Sequence, residues 1–361
     1  MSKEHKASTR KIVRIKDIAE KAGVSTGTVD RVLHNRGRVS EQVKEQILQI
    51  ASELNYEPNY LAQALVSKHS YRIAALIPDP KFDIYWQAPL DGVNKADHSL
   101  RHLNVSVTIH AFNPFDLETF KSEAQTVSEL DYDGILLAPI FFKESLAFMR
   151  KWKTEGVPFN LFNTHIPDYE PLAYIGQDSY QSGLLAGKLM RYGFSSPVTL
   201  VVAHVDEDIL NSSHLIKKEQ GFIDYFSQHT RGEFEILRVD LKQSENEALF
   251  FGQIDRFLEV NPQIEGIFVT NSKASTIASY LSKRNLNQIH LIGYDLLPQN
   301  LEFLKKGVIN FLINQNPFKQ GFLGINLLAD HLIFKKKINP IKYLPLDIIT
   351  SENLYYYLES E

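Results

Sequence analysis

The sequence predicts an α/β body of two parallel-sheet lobes behind a small all-α head. Apolar residues recur at helical spacing over the first sixty residues. From residue 71, short β-branched runs alternate with helical stretches, the pattern of parallel sheets covered on both faces. At 361 residues the chain also exceeds what one ordinary core organises, so more than one domain is expected.

Composition narrows the class. Hydrophobic residues make up 43% and charged residues 23%, as in soluble globular chains. The absence of cysteine removes disulfides and thiolate chemistry and suits a reducing compartment. The N-terminal run MSKEHKASTRKIVRIKD is polar and basic, without the apolar segment of a secretory signal. No apolar run approaches the roughly 18 residues of a membrane span. A cytoplasmic protein with no membrane partner is expected. The net charge of −4 hides an asymmetry. Residues 1–72 carry 13 Lys and Arg against 8 Asp and Glu, a balance of +5, and the remainder carries −9. A basic head on an acidic body fits a nucleic-acid reader joined to something else.

A basic tail (1–13) precedes the head (14–58). In IKDIAEKAG, Ile15, Ile18, Ala19 and Ala22 share one face and Gly23 stops the helix. A Gly-Val turn leads to Ser25, an N-cap residue for a second helix whose apolar stripe is Val29, Val32 and Leu33. After Ser40, residues Val43, Ile47, Ile50, Ala51 and Leu54 repeat at helical spacing. Two helices joined by so tight a turn form a helix-turn-helix unit. Its second helix turns Thr26, Gly27, Asp30, Arg31 and His34 outward. On spacing alone, a plain three-helix bundle with a polar face fits equally well. A linker at 59–70 follows: Leu61 and Leu65 lie on one helical face behind Pro58, but the stretch is too short to hold a helix unaided.

In the body, strands are expected at 73–77, 105–109, 134–139, 157–162, 198–203, 266–270 and 290–294, with another inside VINFLINQNPFKQG. Ligands of open parallel sheets lie beyond the carboxyl ends of the strands. The residues found there are Asp83, Tyr85 and Trp86, then Asn163-Thr164-His165, Asn271, Asp295 and Gln315. Aromatic faces cover the C–H side of a sugar, while amides and carboxylates take its hydroxyls in pairs. Singly, each has a structural explanation: Asp83 as a helix cap, Trp86 as core, Asn271 in a turn. Their shared position points to a cleft. The one G-x-S-x-G match, GVSTG at 23–27, joins two head helices and follows no strand, so it is no nucleophile elbow. There is no P-loop or H-E-x-x-H, and the histidines lack metal spacing. Neither catalysis nor a cofactor nor a metal is expected.

The run IKDIAEKAGVSTGTVDRVLHNRGRVSEQVKEQILQIASELNYEPNYLAQAL resembles the DNA-binding head and hinge of the lactose/galactose-repressor family over about fifty residues. DIAEKAGVS, TVDRVL, RVS and LNYEPN are its specific segments. The resemblance implies a recognition helix in the major groove of double-stranded DNA and a homodimer reading a pseudo-palindromic operator. Arg31 carries the bidentate fork that suits guanine, worth about 1–3 kcal/mol of discrimination. Thr26 and Gly27 fall on the base-reading first turn. Ser25, Thr28, Asn35 and Arg38 are candidates for phosphate contacts. Asp30 departs from the family's usual serine and is expected to alter operator choice. The linker corresponds to a hinge helix that forms when two subunits meet on DNA. There Leu65 would wedge a minor-groove base step, beside Asn59, Ala62 and Gln63.

The body resembles the family's effector domain and the periplasmic sugar-binding proteins more loosely, over about 71–350. The resemblance implies a first lobe at about 71–179 and 316–342, and a second at about 180–315 and 343–361. Asp83, Tyr85, Trp86, Asn163, Thr164, Asn271, Asp295 and Gln315 match ligand-contacting positions of the ribose-type binders. Lys218, three residues before Gly221-Phe222, stands where arginine is frequent, and Thr164 stands where an arginine or other polar group is common. Lysine is not equivalent to arginine at a bidentate site, so a ligand other than the well-known pentoses is expected. The overall expectation is a DNA-binding transcriptional regulator, a repressor, switched by a sugar or sugar derivative bound between two lobes. The alternative is a sugar-binding transport protein without a DNA role. It would need an export signal where the head stands.

Overall fold

The computed structural model describes residues 13–33, 37–54, 56, 69–207, 212–229 and 234–358. The expected contacts at His34, Asn35, Asn59, Ala62 and Leu65 lie outside the described residues, as does the linker through Lys68. The chain divides into two compact units, 1–67 and 68–361.

The first unit packs α1 (Ile15–Ala22), α2 (Thr26–Leu33) and α3 (Glu41–Glu53). Gly23 ends α1 in the left-handed region, with φ of 67°, where a side chain would be strained. Ser25 Oγ then accepts the Thr28 N–H at 3.1 Å and starts α2. Ile18, Val29 and Ile47, one from each helix, are fully buried at the centre of the core.

The second unit holds two lobes. In the first, β1 (Tyr71–Pro78), β2 (Val105–Phe112), β3 (Gly134–Leu137), β4 (Phe159–Phe162) and β5 (Ala173–Gly176) are interleaved with α4 (Gln87–Leu100), α5 (Leu117–Glu129) and α6 (Phe142–Glu155). In the second, β6 (Thr199–Val205), β7 (Glu235–Leu241), β8 (Ile264–Val269), β9 (His290–Tyr294) and β10 (Phe311–Asn314) alternate with helices. These are α7 (Ser179–Tyr192), α8 (Ser213–His229), α9 (Glu247–Val260), α10 (Ala274–Lys283) and α11 (Pro298–Lys305). After β10 the chain returns to the first lobe as α12 (Pro317–Phe334) and β11 (Ile341–Tyr343), then ends in the second as β12 (Asp347–Ile349) and α13 (Tyr355–Leu358).

The first sheet, ordered β11-β5-β4-β3-β1-β2, is parallel throughout. The second, β12-β10-β9-β8-β6-β7, is parallel except for β12. The last crossing falls at 344–346, just after the 342/343 boundary expected, because residues 341–343 still pair with β5. Strands β5, β7, β11 and β12 are not among those expected from the sequence. β7 is a sheet edge with a largely exposed face, and β11 and β12 are three residues each, too short for a periodicity.

Each lobe contains one very close helix crossing made by a pair of glycines. A methyl on Gly92 of α4 would overlap the Phe318 carbonyl oxygen, and one on Gly321 of α12 the Pro89 oxygen. In the second lobe, Gly183 of α7 stands equally close to the Lys218 carbonyl oxygen, and Gly221 of α8 to that of Tyr180. These neighbours are backbone and cannot swing away.

Gly183→Ala is therefore expected to lower stability by about 1–3 kcal/mol, the usual cost of overpacking. Gly252 of α9 has nothing within 4 Å of a built Cβ, so Gly252→Ala should be neutral or stabilising by about 0.5–1 kcal/mol. Urea midpoints of the two variants would check this, and equal shifts would count against the close-crossing account.

Candidate functional site

The carboxyl ends of both sheets face a cavity of about 390 Å³ between the two lobes. From the first lobe it is lined by Asp83, Tyr85, Trp86 and Asn163, and from the second by Lys218 and Asn271; Gln315 comes from the second crossover. Asp83 caps the short turn after β1 by accepting the Tyr85 N–H at 3.0 Å, which fixes where both aromatic rings enter. Tyr85 and Trp86 pack edge to face, 4.9 Å between centroids, and Trp86 lies in turn against Phe162. Asn163 follows β4 in a left-handed backbone, φ 65°, which asparagine tolerates better than most residues. Its side-chain oxygen accepts from the Tyr85 hydroxyl at 3.3 Å.

Lys218 is the centre of the polar network. Its ammonium is buried and donates to the Thr270 carbonyl and to Gln315 Oε1, both at 3.0 Å. It also lies 3.6 Å from the centroid of the Tyr294 ring, a cation–π contact. Burial pushes its pKa down to about 8, while Asp295 and Glu207 pull it back up. Gln315 in turn donates its backbone N–H and its amide to Asp295, at 3.1 and 2.7 Å. Gln315 O accepts from Gln320, whose Oε1 accepts the Asn163 N–H at 2.9 Å. A continuous polar web thus runs from one lobe through the crossover to the other.

Two of the nine expected residues do not line the cavity. Asp295 lies behind Gln315, fully engaged in holding it. Thr164 is buried, and its hydroxyl is paired with His214 Nδ1 of the second lobe at 3.1 Å, so it ties the lobes together instead of facing a ligand. Burial, with Lys218 nearby, pushes His214 down to about 3, which keeps it neutral.

Asp206, Glu207, Lys242, Lys273, Pro114, Phe115, Ile140 and Phe141 also line the cavity, beyond the residues expected from the sequence. All but Lys242 follow the expected strands β2, β3, β6 and β8, so the strand-end rule contained their signal; Lys242 follows β7, which was not expected as a strand. Lys273 and Asp206 form an ion pair at 2.7 Å. Burial raises the carboxyls of Glu207 and Asp83 above their ordinary range. Among the described residues, no group of three or more His, Asp and Glu side chains is arranged to hold a metal ion. None of the helices described is long and apolar enough to cross a membrane.

In the head, Ser25, Thr26, Gly27, Arg31 and Arg38 are exposed, while Thr28 and Asp30 are half-buried. Arg31 Nε donates to the Gly27 carbonyl at 3.1 Å, which holds the guanidinium along the helix. Ser25 and Thr28 hydroxyls pair at 3.0 Å on the first turn. A methyl built on Gly27 would meet only Ser25 Oγ, at an ordinary 3.7 Å, so the packing of the head does not require glycine there.

The family model for the periplasmic binding protein domain matches residues 73–336, and that for bacterial regulatory proteins of the lacI family matches 14–59. The chain is 25% identical to the HTH-type transcriptional regulator MalR of Streptococcus pneumoniae, over 83% of this chain and 88% of that one. It is 24% identical to the ribose operon repressor of Halalkalibacterium halodurans, over 94% and 96%. A crystal structure of a candidate LacI transcriptional regulator from Bacteroides fragilis superimposes with a TM-score of 0.75 at 32% identity, covering 80% of this chain and all of that one. A carbohydrate transporter solute-binding protein from Agrobacterium radiobacter shares the fold, with a TM-score of 0.69 at 19% identity over 81% of this chain and 99% of that one.

Burial pushes Asp295 up to about 6, against the opposing pull of Gln315 and Lys218. Between pH of about 4 and 6 the folded chain holds a proton here that the unfolded chain releases. The stability this group contributes is therefore complete below that window and lost as pH rises through it. Asp295→Asn should flatten that part of the stability profile, read as urea midpoints at intervals from pH 4 to 7. An unchanged slope would remove Asp295 as its source.

Proposed function

The chain belongs to the lacI family of bacterial regulatory proteins, and on that footing we propose that it is a sugar-responsive repressor of transcription. It binds a pseudo-palindromic operator as a homodimer, and a carbohydrate in the interlobe cavity sets operator affinity. The cavity binds its ligand without chemical turnover. A repressor acting on genomic DNA works in the cytoplasm.

The observation that carries the DNA reading is the row Thr26, Gly27 and Arg31. It is exposed on a helix whose other side, Val29 and Val32, supplies the core. With Nε occupied by the Gly27 carbonyl, the guanidinium offers its two terminal nitrogens as the fork that meets guanine O6 and N7. Ser25, Thr28 and Arg38 are assigned to phosphates, which fix register without reading sequence. Since the head does not need glycine at position 27, the bare backbone there serves close approach to DNA. Asp30 repels phosphate and tunes which site is preferred. Paired heads read half-sites about one helical turn apart, which makes the dimer a requirement of recognition.

The sugar reading rests on cavity chemistry: rings from Tyr85 and Trp86 for a C–H face, with Asp83, Asn163, Lys218, Asn271 and Gln315 for hydroxyls. Names among the relatives, a ribose operon repressor and a sucrose operon repressor, agree with it. A ligand that binds one lobe arrangement better than another shifts operator affinity by that difference, typically about 1–3 kcal/mol.

Selection of duplexes from a random pool is expected to return an inverted repeat, and no preference for any duplex would overturn the DNA assignment. On the selected site, Arg31→Ala should cost about 1–3 kcal/mol and relax specificity at one base pair of each half-site. Gly27→Ala should stabilise the head by about 0.5–1 kcal/mol and yet weaken or redirect operator binding. Lys218→Met should keep operator binding and abolish the response to sugar.

A further inference from the structure

The cavity has two halves of different chemistry. The inner half is the hydrogen-bonding set around Lys218 and Gln315, closed by Tyr85 and Trp86. The outer half is floored by apolar side chains of the first lobe alone: Pro114 and Phe115 after β2, and Ile140 and Phe141 after β3. Facing them from the second lobe are Asp206, Lys242 and Lys273.

Phe141 is held from behind by the first-lobe core, 5.5 Å from Phe120 and 6.2 Å from Phe112 between ring centroids. Phe115 has no such cover. It is 55% exposed, an uncommon state for a phenylalanine. The Lys273 ammonium stands 5.5 Å from its ring centroid and is itself fixed by the ion pair with Asp206. Asp206 is braced by the Ser244 N–H at 3.3 Å. The outer half therefore offers an aromatic floor and a preset donor–acceptor pair on the opposite wall. That division matches a sugar ring, which has a C–H face and a hydroxyl edge.

We propose that this outer half is a second saccharide subsite, and that the effector is a disaccharide or longer saccharide whose second ring stacks on Phe115 and Phe141. The proposal rests on the reading of the cavity as a sugar site and goes beyond it by fixing the length of the ligand. A single ring on Lys218 and Gln315 would leave the Phe115 face in water and the Asp206–Lys273 pair without a hydroxyl partner. A second ring covers the first and engages the second.

Isothermal titration of the full chain with glucose, fructose, galactose and ribose, and with maltose, sucrose, lactose and maltotriose, tests this. At least one di- or trisaccharide is expected to bind about tenfold or more tightly than either of its component monosaccharides. Phe115→Ala, at an exposed position, should weaken that saccharide about tenfold and leave any monosaccharide affinity at the wild-type value, while Phe115→Trp should restore it. Lys218→Met should weaken ligands of both lengths. A monosaccharide that binds as tightly as the saccharides containing it, or equal losses for both lengths in Phe115→Ala, would overturn the second subsite and leave the sugar reading standing. Silence across the whole panel would overturn both.

Discussion

One buried ammonium organises the body of this protein. Removing a lysine charge from water costs several kcal/mol unless its donors and its charge are answered. Lys218 is answered by the Thr270 carbonyl, the Gln315 amide, the Tyr294 ring and the nearby Asp295. Three of these are in the second lobe proper, but Gln315 belongs to the crossover. The need to satisfy one charge therefore fixes the crossover strand against the lobe that carries α8. Through Gln320 and the Asn163 N–H, the same need extends into the first lobe. A half-satisfied network of this kind would be worse than an apolar core, which explains why its members are bonded so completely.

Two further devices let that charge sit where it does. The Gly183–Gly221 crossing lets α7 and α8 approach until backbone meets backbone, and it places the Lys218 side chain one turn from the glycine that makes the contact. The crossovers themselves are gathered by Gln177, whose amide donates to the carbonyls of Asn314 and Pro345, at 2.7 and 3.0 Å. One side chain in the first crossover thus binds the second and the third. Three short segments so tied form a narrow joint between the lobes. Hinge closure around a ligand is the motion such a joint permits.

Much of this was legible in the residues. The three head helices and the strands with continuous β-branched runs, β1, β6 and β8 among them, announce themselves because burial on both faces demands uniform apolarity. Ser25 was readable as a cap because its hydroxyl has one obvious task. The edge strand β7, where Leu237, Val239 and Leu241 alternate with Arg238 and Asp240, did not stand out because it lacks the continuous apolar run that marks the strands buried on both faces. At the site, residue type and position after a strand were enough to select Tyr85, Gln315 and Asn163, whereas Lys218, inside α8, was selected by the family resemblance alone. What position could not tell is depth. Asp295 and Thr164 follow strands as faithfully as their neighbours, but their partners, Gln315 and His214, are distant in sequence, and those partners turn them away from the cavity. Phe115 and Glu207 failed to stand out for a different reason: an aromatic or acidic residue after a strand has many bland explanations until its exposure or burial is known.

The way the chain is threaded constrains how sugar binding reaches DNA. In chain order the head precedes β1, a strand of the first lobe. In the proposed homodimer, what an operator reads is the spacing of two heads, so the reference for a change in one first lobe is the partner's. Closure that rotates the two first lobes relative to each other changes the spacing of the heads, which operator geometry tolerates poorly. The contact between Thr164 and His214, together with Lys273 over the Phe115 ring, shows where the two lobes already touch across the cleft. A ligand that adds to those contacts in one arrangement, and not in the other, converts its own binding energy into a preference for one head spacing.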